Sequence, residues 1–161
     1  MGIITFAQEP SETQRYNCKK EKAMDTLSTS ERSERMSRVR SKDTKPELTI
    51  RRLIHSLGYR YRLHATQLPG KPDLVFAARR KVIFVHGCFW HRHGSRCHLT
   101  RLPKSKLDFW RPKLEQNKKR DEKNIRKLHN CGWKSLVIWE CQLKNGSNLT
   151  ARIKNFLESV K

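Results

Sequence analysis

Apolar residues spaced three and four apart predict a core helix in the first third of the chain. Within KPELTIRRLIHSLG, residues 45–58, they fall on one helical face: Ile50, Leu53, Ile54 and Leu57. Pro46 suits the first turn of a helix, because proline lacks the N–H that this position leaves unpaired. Gly58 suits the C-terminal stop. One apolar face and two end signals together predict an amphipathic helix.

Four short apolar runs predict strands. YRYRLH, residues 59–64, alternates between polar and apolar positions, as a half-buried strand does. DLVF and KVIFVHG, residues 73–76 and 81–87, are separated only by AARR. SLVIWE, residues 135–140, has the composition of a buried strand. Strands and helical segments intermix, which predicts an α/β or α+β order without an internal repeat.

Three further segments complete the predicted organisation. Residues 111–132 predict a strongly basic helix ended by a glycine, and residues 148–160 predict a final amphipathic helix. Residues 29–42 predict a short basic helix that has too few apolar residues to be buried. Residues 1–28 show no apolar period, and we expect a disordered or weakly ordered extension there. One domain is expected over residues 29–161.

The charge balance points to a polyanion as partner. The chain carries 36 Lys and Arg against 15 Asp and Glu, a formal net charge of +21. Nucleic acid is the leading candidate, because Lys and Arg displace the counterions that surround phosphates. A ribosomal-type structural protein would fit the same charge. A membrane partner is not expected, because no run of about 18 apolar residues occurs.

The cysteines are expected to act in a reducing compartment. The first residues lack a charged start followed by an apolar stretch, so we predict no secretory signal and an intracellular protein. Cysteines there are more often metal ligands or inert thiols than disulfide partners. The chain has five: Cys18, Cys88, Cys97, Cys131 and Cys141.

The segment HGCFWHRHGSRC, residues 86–97, concentrates possible metal ligands. Cys88, His91, His93 and Cys97 lie at close spacing, and Cys141 follows a strand that could return it to them. Zinc takes four such nitrogen or sulfur ligands in structural sites, so one candidate is spare. A spare histidine could exchange protons near neutral pH. Alternatively, Cys88 is a small buried hydrophobe and the histidines are solvated or contact phosphate.

Two acidic residues and several aromatic residues are further candidates. Asp73 follows Pro72 where a strand begins, a position from which a carboxylate can bind Mg²⁺, although most Pro-Asp pairs form turns. Glu47 near a helix start is equally compatible with the helix dipole. The aromatic pair Phe89 and Trp90, and also Trp110, lie near basic residues. They suit base stacking or wedging as well as packing in a small core. Trp133 and Trp139 are expected in the core.

Several motifs, in order, resemble the very short patch repair (Vsr) endonucleases. They are RMSRVRSKDTKPE, LPGKPDLVF, VHGCFWHRH, an FW pair before a basic helix that contains Asn117 and Arg120-Asp121, and GWKSLVIWEC. The match runs from about Ser33 to the C-terminus, and the HGCFWH element is highly specific. The resemblance implies an α/β fold with a restriction-endonuclease-like core, that is, a mixed β-sheet flanked by helices with a structural zinc site. It also implies a Mg²⁺-dependent endonuclease that nicks double-stranded DNA 5′ of the thymine in a T:G mismatch left by 5-methylcytosine deamination.

The resemblance also assigns catalytic roles. Asp73 would bind Mg²⁺ together with the backbone carbonyl of Val85, where the family also shows a threonine. His91 would be the general base, and Glu47 and His86 would assist at the scissile phosphate. The usual second-strand pattern of an acidic residue and a lysine is absent here, and VHG takes its place.

Binding roles follow in the same way. Zinc would be held by Cys88, His93, Cys97 and Cys141; the spacing from His93 to Cys97 is somewhat long, so His98 is kept as an alternative to Cys97. Phe89, Trp90 and Trp110 would enter the duplex from the major groove and Met36 from the minor groove. Lys113 and Asn117 would contact the mismatched bases.

The resemblance leaves two other function classes open. One is a noncatalytic zinc-containing module that binds mismatched DNA, and the other is a restriction-like nuclease that cuts undamaged DNA. For the endonuclease, a monomer is expected, because a mispair offers no two-fold axis. Mismatch-repair factors are expected as further partners, and the bacterial cytoplasm with its nucleoid is the expected location.

Overall fold

The computed structural model describes residues 28–38, 42–63 and 65–159. The predicted N-terminal extension, apart from Ser28, lies outside these ranges. The helices are α1 (Thr29–Ser37), α2 (Lys45–Ser56), α3 (Leu107–Asn130) and α4 (Gly146–Glu158). The strands are β1 (Arg62–Leu63), β2 (Leu74–Phe76), β3 (Lys81–His86) and β4 (Lys134–Trp139). Each strand lies within a predicted run or overlaps it.

The four strands form one mixed sheet in the order β1-β2-β3-β4. β2 pairs antiparallel with both β1 and β3, and β4 pairs parallel with β3. Helix α3 lies between β3 and β4 in the chain. The predicted mixed sheet with flanking helices is thereby confirmed. β1 is shorter than its alternating run, and both of its residues are exposed. Its partner β2 has only three residues. This edge of the sheet therefore offers few backbone groups to which another strand could pair.

Two apolar layers cover the sheet, one on each face. One layer joins α2 and α4 to Leu74, Ile83 and Ile138, and the other joins α3 to Val82 and Phe84. Neighbouring residues of β3 alternate between the layers, as the pleat requires. All six β3 residues are buried, since this strand has a neighbour on each side. The end of β3 is thus buried in the protein, and the HGCFWH motif continues from it into the following loop.

The basic helix starts earlier than predicted. α3 begins at Leu107, so Trp110 lies in its first turn and Pro112 lies inside the helix. The predicted start at residue 111 is four residues too late, because Phe109 and Trp110 have only a weak intrinsic helix propensity. Gly132, at φ +74°, follows the helix end as expected. None of the helices within the described ranges is long and apolar enough to cross a bilayer.

Candidate active site and metal centre

The loop 87–100 follows the end of β3 and is folded by successive tight turns. The His91 N–H donates to the Gly87 carbonyl at 3.2 Å, and the His93 N–H donates to the Cys88 carbonyl at 3.1 Å. These turns send neighbouring side chains into different surroundings. His91 faces a cavity near β2, whereas Cys88 and His93 belong to a cluster of sulfur and nitrogen ligands.

The predicted catalytic residues lie around one cavity of about 500 Å³. Asp73, His91, Glu47 and His86 all line it, and so does Val85. Elements that are distant in sequence supply them: α2 provides Glu47, the start of β2 provides Asp73, and the end of β3 provides Val85 and His86. Three charged residues without a predicted role also line this catalytic cavity: Lys71, Arg120 and Asp121.

Asp73 is held by the backbone of the neighbouring strand. Its Oδ2 accepts the N–H of Val85 at 2.7 Å. The preceding turn is tight, since Gly70 and Lys71 have φ of +77° and +51°. A Cβ at Gly70 would lie 3.0 Å from the Asn124 Cβ, so only glycine lets this turn approach α3 so closely. The turn and the hydrogen bond together fix the carboxylate at the strand junction.

His91 is oriented from two sides. Its Nδ1 lies 2.5 Å from Asp121 Oδ2 on α3, and its ring stacks on His86 at a centroid distance of 3.9 Å. Burial, together with the adjacent His91, lowers the pKa of His86 to about 4. His86 is therefore neutral at physiological pH. Sequence reasoning gave Asp121 no role, because an acid in a basic helix ordinarily forms a surface ion pair.

The side chains of His86, His91 and Asp121 approach one another closely enough to suggest a metal site. The two imidazole planes are only 10° apart, however, and the rings lie face to face. An imidazole lone pair lies in the ring plane, so one ion cannot lie in both planes at once. This arrangement suits proton transfer at His91 better than chelation.

Glu47 is fixed by three donors. Its carboxylate accepts the Asp43 N–H at 3.0 Å, the Thr44 hydroxyl at 2.8 Å and the Arg51 guanidinium at 3.1 Å. Arg51 also contacts Asp43 at 2.5 Å. This network ties the start of α2 to the wall of the catalytic cavity. Glu47 therefore contributes a fixed negative charge there.

The catalytic cavity fits a divalent cation. Three carboxylates, those of Glu47, Asp73 and Asp121, line it together with the cations Lys71 and Arg120. This excess of negative charge would repel a phosphodiester unless a hard cation compensated for it. Carboxylate and carbonyl oxygens are the ligands that Mg²⁺ prefers. Asp73 and the Val85 carbonyl are thus suitable donors.

The cysteine and histidine cluster could hold a metal ion, and its distances are compatible with zinc. The ligand atoms of Cys88, His93, Cys97 and Cys141 all lie within 4.8 Å of one another. His93 Nδ1 is 3.6 Å from Cys88 Sγ and 3.4 Å from Cys141 Sγ. Tetrahedral zinc with ordinary bond lengths separates sulfur from nitrogen by about 3.5 Å. His98 is exposed and does not belong to this group.

Burial governs the protonation of the cluster. Burial raises the pKa of the Cys88 thiol to about 12 and raises that of Cys141 as well. Thiolates in this cluster therefore need a compensating positive charge. Burial lowers the pKa of His93, which favours the neutral imidazole that metals bind. Trp139 stacks on His93 at 4.2 Å and is half-buried beside the site, whereas Trp133 packs against a core layer.

The predicted DNA-inserting aromatics form one group. Phe89, Trp90 and Trp110 contact one another edge to face, with centroids 5.0 to 5.9 Å apart. Lys113 Nζ lies 5.0 Å from the ring of Phe109 and 5.5 Å from that of Trp110. All three predicted aromatics are half-buried, and Phe109 is 53% exposed. The group is neither a closed core nor fully solvated.

A wide cleft of about 940 Å³ separates this aromatic group from α1. Met36 of α1 and Trp90 line the cleft, and Lys113 does too. Glu47, Val85, His91 and Arg120 line both the cleft and the catalytic cavity, so the two are continuous. Asn117 donates its side-chain N–H to the Trp90 carbonyl at 3.3 Å, which fixes the loop on α3.

Comparison with known proteins agrees with these features. The family model described as DNA mismatch endonuclease Vsr matches residues 24–98. The type II nicking enzyme V.XorIIP of Xanthomonas oryzae pv. oryzae is 51% identical over 134 residues, which are 83% of this chain and 97% of that protein. The DNA mismatch endonuclease Vsr of Escherichia coli K12 is 39% identical over 119 residues, which are 74% of this chain and 75% of that protein.

The fold has a solved relative. The catalytic domain of the homing endonuclease I-Bth0305I superposes with a TM-score of 0.50 at 16% identity, covering 72% of this chain and 99% of that domain. That likeness shows an endonuclease fold. The family inferred from the sequence motifs is confirmed, and the chain belongs to the Vsr family of DNA mismatch endonucleases.

Proposed function

We propose that this protein nicks double-stranded DNA 5′ of the thymine in a T:G mismatch and so initiates very short patch repair. The observation that carries the proposal is the convergence of Asp73 and His91 on one cavity that opens into the cleft between Trp90 and Met36. A nuclease needs a carboxylate and a general base around one phosphate. A protein that recognises a mismatch needs side chains near that phosphate that can insert between base pairs.

His91 is the proposed general base. With its Nδ1–H donated to Asp121, the basic nitrogen is Nε2, which takes a proton from the attacking water. Neutral His86, stacked against the ring, adds no positive charge that would oppose this proton transfer. Asp121 acts as a positioning residue, because it holds the imidazole and stabilises the imidazolium that forms.

Asp73 and the Val85 carbonyl would hold Mg²⁺, and Lys71 and Arg120 would face the phosphate. When bound, the ion supplies Lewis-acid polarisation of the phosphodiester. Glu47 would assist at the site through its fixed carboxylate, which lines the same cavity. On the other side of the loop 87–100, the sulfur and nitrogen cluster would hold a structural zinc.

Selection of the mispair would come from the aromatic group. Phe89, Trp90 and Trp110 would enter from the major groove and Met36 from the minor groove. Unstacking a base step costs a few kcal/mol, and the cost is lowest at a mispair. Lys113, which lines the cleft, and Asn117, which holds the Trp90 carbonyl, would contact the mismatched bases.

A nicking assay on end-labelled duplexes tests the proposal. We expect Mg²⁺-dependent cleavage 5′ of the mispaired thymine in T:G duplexes with several flanking sequences, including methylatable cytosine sites. The matched T:A duplex should stay intact, because wedging there costs more.

Two results would contradict this expectation. Tight T:G binding without a nick in every flanking sequence would favour a noncatalytic mismatch-binding module. Equal cleavage of T:A duplexes would favour a restriction-like nuclease.

Replacing Trp90 by Ala should lower the preference for T:G over T:A more than it lowers general duplex binding. Gly87 passes close beneath this indole, since a Cβ there would lie 3.2 Å from Trp90 Cδ1, so the ring has a defined position. Losing a base-stacking aromatic costs about 1–3 kcal/mol, roughly 5- to 150-fold in affinity, and we expect about tenfold to be lost from the preference for T:G. Competition binding with both duplexes measures the ratio.

Phe109→Ala is the matched control. Phe109 packs beside the aromatic group, against Trp110, but unlike Trp90 it does not line the cleft. We expect a nearly unchanged preference. If Trp90→Ala weakens binding to T:G and T:A duplexes equally, the indole has a packing role instead.

A further inference from the structure

A second cavity, of about 480 Å³, lies beside the loop 87–100 and is strongly cationic. Four cations line it, namely Arg92, Arg96, Arg101 and Lys118, against one carboxylate, that of Glu115. Among the described residues, none that lines this cavity also lines the catalytic cavity. The catalytic roles proposed above leave these cations unexplained.

Arg92 is held in a strained backbone conformation that directs it there. Its φ is +51°, in a backbone region that residues other than glycine, asparagine and aspartate rarely adopt. Its neighbour His91 lines the catalytic cavity, so this turn sends consecutive residues to two different sites. The Arg92 guanidinium donates to Glu115 and to the Thr100 carbonyl, both at 3.3 Å. These bonds use two of its five N–H groups and fix the fork in place.

Thr100 adds a polar group at the same wall. The residue is 7% exposed, and among the described residues its hydroxyl has no hydrogen-bond partner. A buried hydroxyl without a partner destabilises a fold, so such groups mark places where a ligand or water is expected. A hydroxyl donor among arginines suits an oxyanion.

The neighbours of the second cavity indicate which oxyanion binds there. Glu115 and Lys118 line it from one flank of α3, whereas Lys113 and Asn117 lie on the other flank. The loop 87–100 links the sites, because Arg92 of the second cavity directly follows His91, which lines the cavity where the scissile phosphate would bind. We propose that the second cavity binds a backbone phosphate of the DNA outside the nicked step, and so fixes the register of the duplex without reading its sequence.

The inference rests on the proposed function only in taking duplex DNA as the ligand. A salt titration of binding tests it without any cleavage. The double variant Arg96→Ala/Lys118→Ala removes two cations of the cavity, and Lys144→Ala/Lys154→Ala removes two exposed cations elsewhere. Fluorescence anisotropy measures affinity for T:G and T:A duplexes at several KCl concentrations without divalent cations.

We expect the cavity variant to lower the magnitude of the slope of log K against log[KCl] by about 1, because each phosphate contact contributes about 0.9. Affinity should fall by the same factor for T:G and T:A duplexes. The control variant should keep the wild-type slope. A slope unchanged in the cavity variant would overturn the inference, even if inorganic phosphate binds to the wild-type protein.

Single variants keep the test independent of folding. Arg96 neighbours Cys97, so its replacement is checked by bound zinc and by melting temperature. Lys118 lines the second cavity together with His93 and Cys97 of the cluster but belongs to α3 rather than to the loop. Lys118→Ala is checked for bound zinc in the same way and should by itself give about half of the slope change. Failure to nick T:G duplexes would overturn the proposed function but leave this comparison interpretable, whereas equal slopes with normal nicking would overturn the phosphate site alone.

Discussion

Replacing Asp73 by Asn is expected to lower the nicking rate at a T:G mismatch by about a thousandfold or more, which corresponds to about 4 kcal/mol of lost transition-state stabilisation. The substitution is nearly isosteric. An asparagine carbonyl can still accept the Val85 N–H that Asp73 Oδ2 accepts at 2.7 Å. The strand junction should therefore persist, and only the charge is lost.

Binding and catalysis should separate in this variant. The side chains proposed to insert into the duplex and to contact its phosphates are all unchanged in this variant. Affinity for the T:G duplex should therefore stay within a few fold of wild type. Single-turnover nicking with excess enzyme measures the chemical step. Glu122→Gln, which removes an exposed carboxylate on α3 next to Asp121, is the matched control and should nick at nearly the wild-type rate.

A different outcome would reassign the site. If Asp73→Asn nicks at a rate close to that of wild type, the carboxylate does not bind the catalytic cation. Its role would then be limited to the Val85 hydrogen bond. If the variant loses duplex binding as well as nicking, the cavity charge governs DNA entry and the Mg²⁺ assignment lacks support.

The sequence predicts the sheet because its signals are local. The apolar runs that contain Leu74–Phe76 and Lys81–His86 predict strands, whose side chains alternate between the two faces of a sheet. A continuous apolar run, as in β3, predicts burial on both faces. Helix α2 has matching end signals at Pro46 and Gly58. Local signals fail at the start of α3, because Phe109 and Trp110 in its first turn have a weak helix propensity.

The site is less predictable because its contacts join distant segments. The pairing of His91 with Asp121 spans 30 residues, and neither residue carries a local mark of it. The three donors that fix Glu47 depend equally on a turn at Asp43 with φ +54°. Trp139 belongs to an apolar strand and so resembles a core residue. Its place beside His93 depends on where the loop 87–100 folds.

Replacing Cys141 by Ser is expected to abolish stoichiometric zinc binding and to lower the melting temperature by roughly 10 °C. Structural zinc sites contribute on the order of 10 kcal/mol to folding, and losing one of four ligands removes a substantial part. For a chain of this size, about 1 kcal/mol shifts the melting temperature by roughly 2–4 °C. Serine preserves the shape of the side chain but is a poor zinc ligand.

The effect should be large because the zinc site would hold the loop 87–100 to the end of β4. Cys88, His93 and Cys97 belong to the loop, and Cys141 follows β4. Most of the loop is half-buried or exposed, so it has little apolar burial to order it. The same loop carries His91 and Trp90. Loss of the fourth ligand should therefore also abolish nicking, with Mg²⁺ present throughout.

Cys131→Ser supplies the matched control, since Cys131 is an exposed free cysteine outside the cluster. That variant should keep about one zinc per chain, its melting temperature and its nicking rate. Elemental analysis after gel filtration and thermal melts followed by circular dichroism give the two readouts. Full zinc content and an unchanged melt in Cys141→Ser would mean that the cluster does not need this thiol. The loop would then be ordered by its own turns and by the contact of Trp139 with His93.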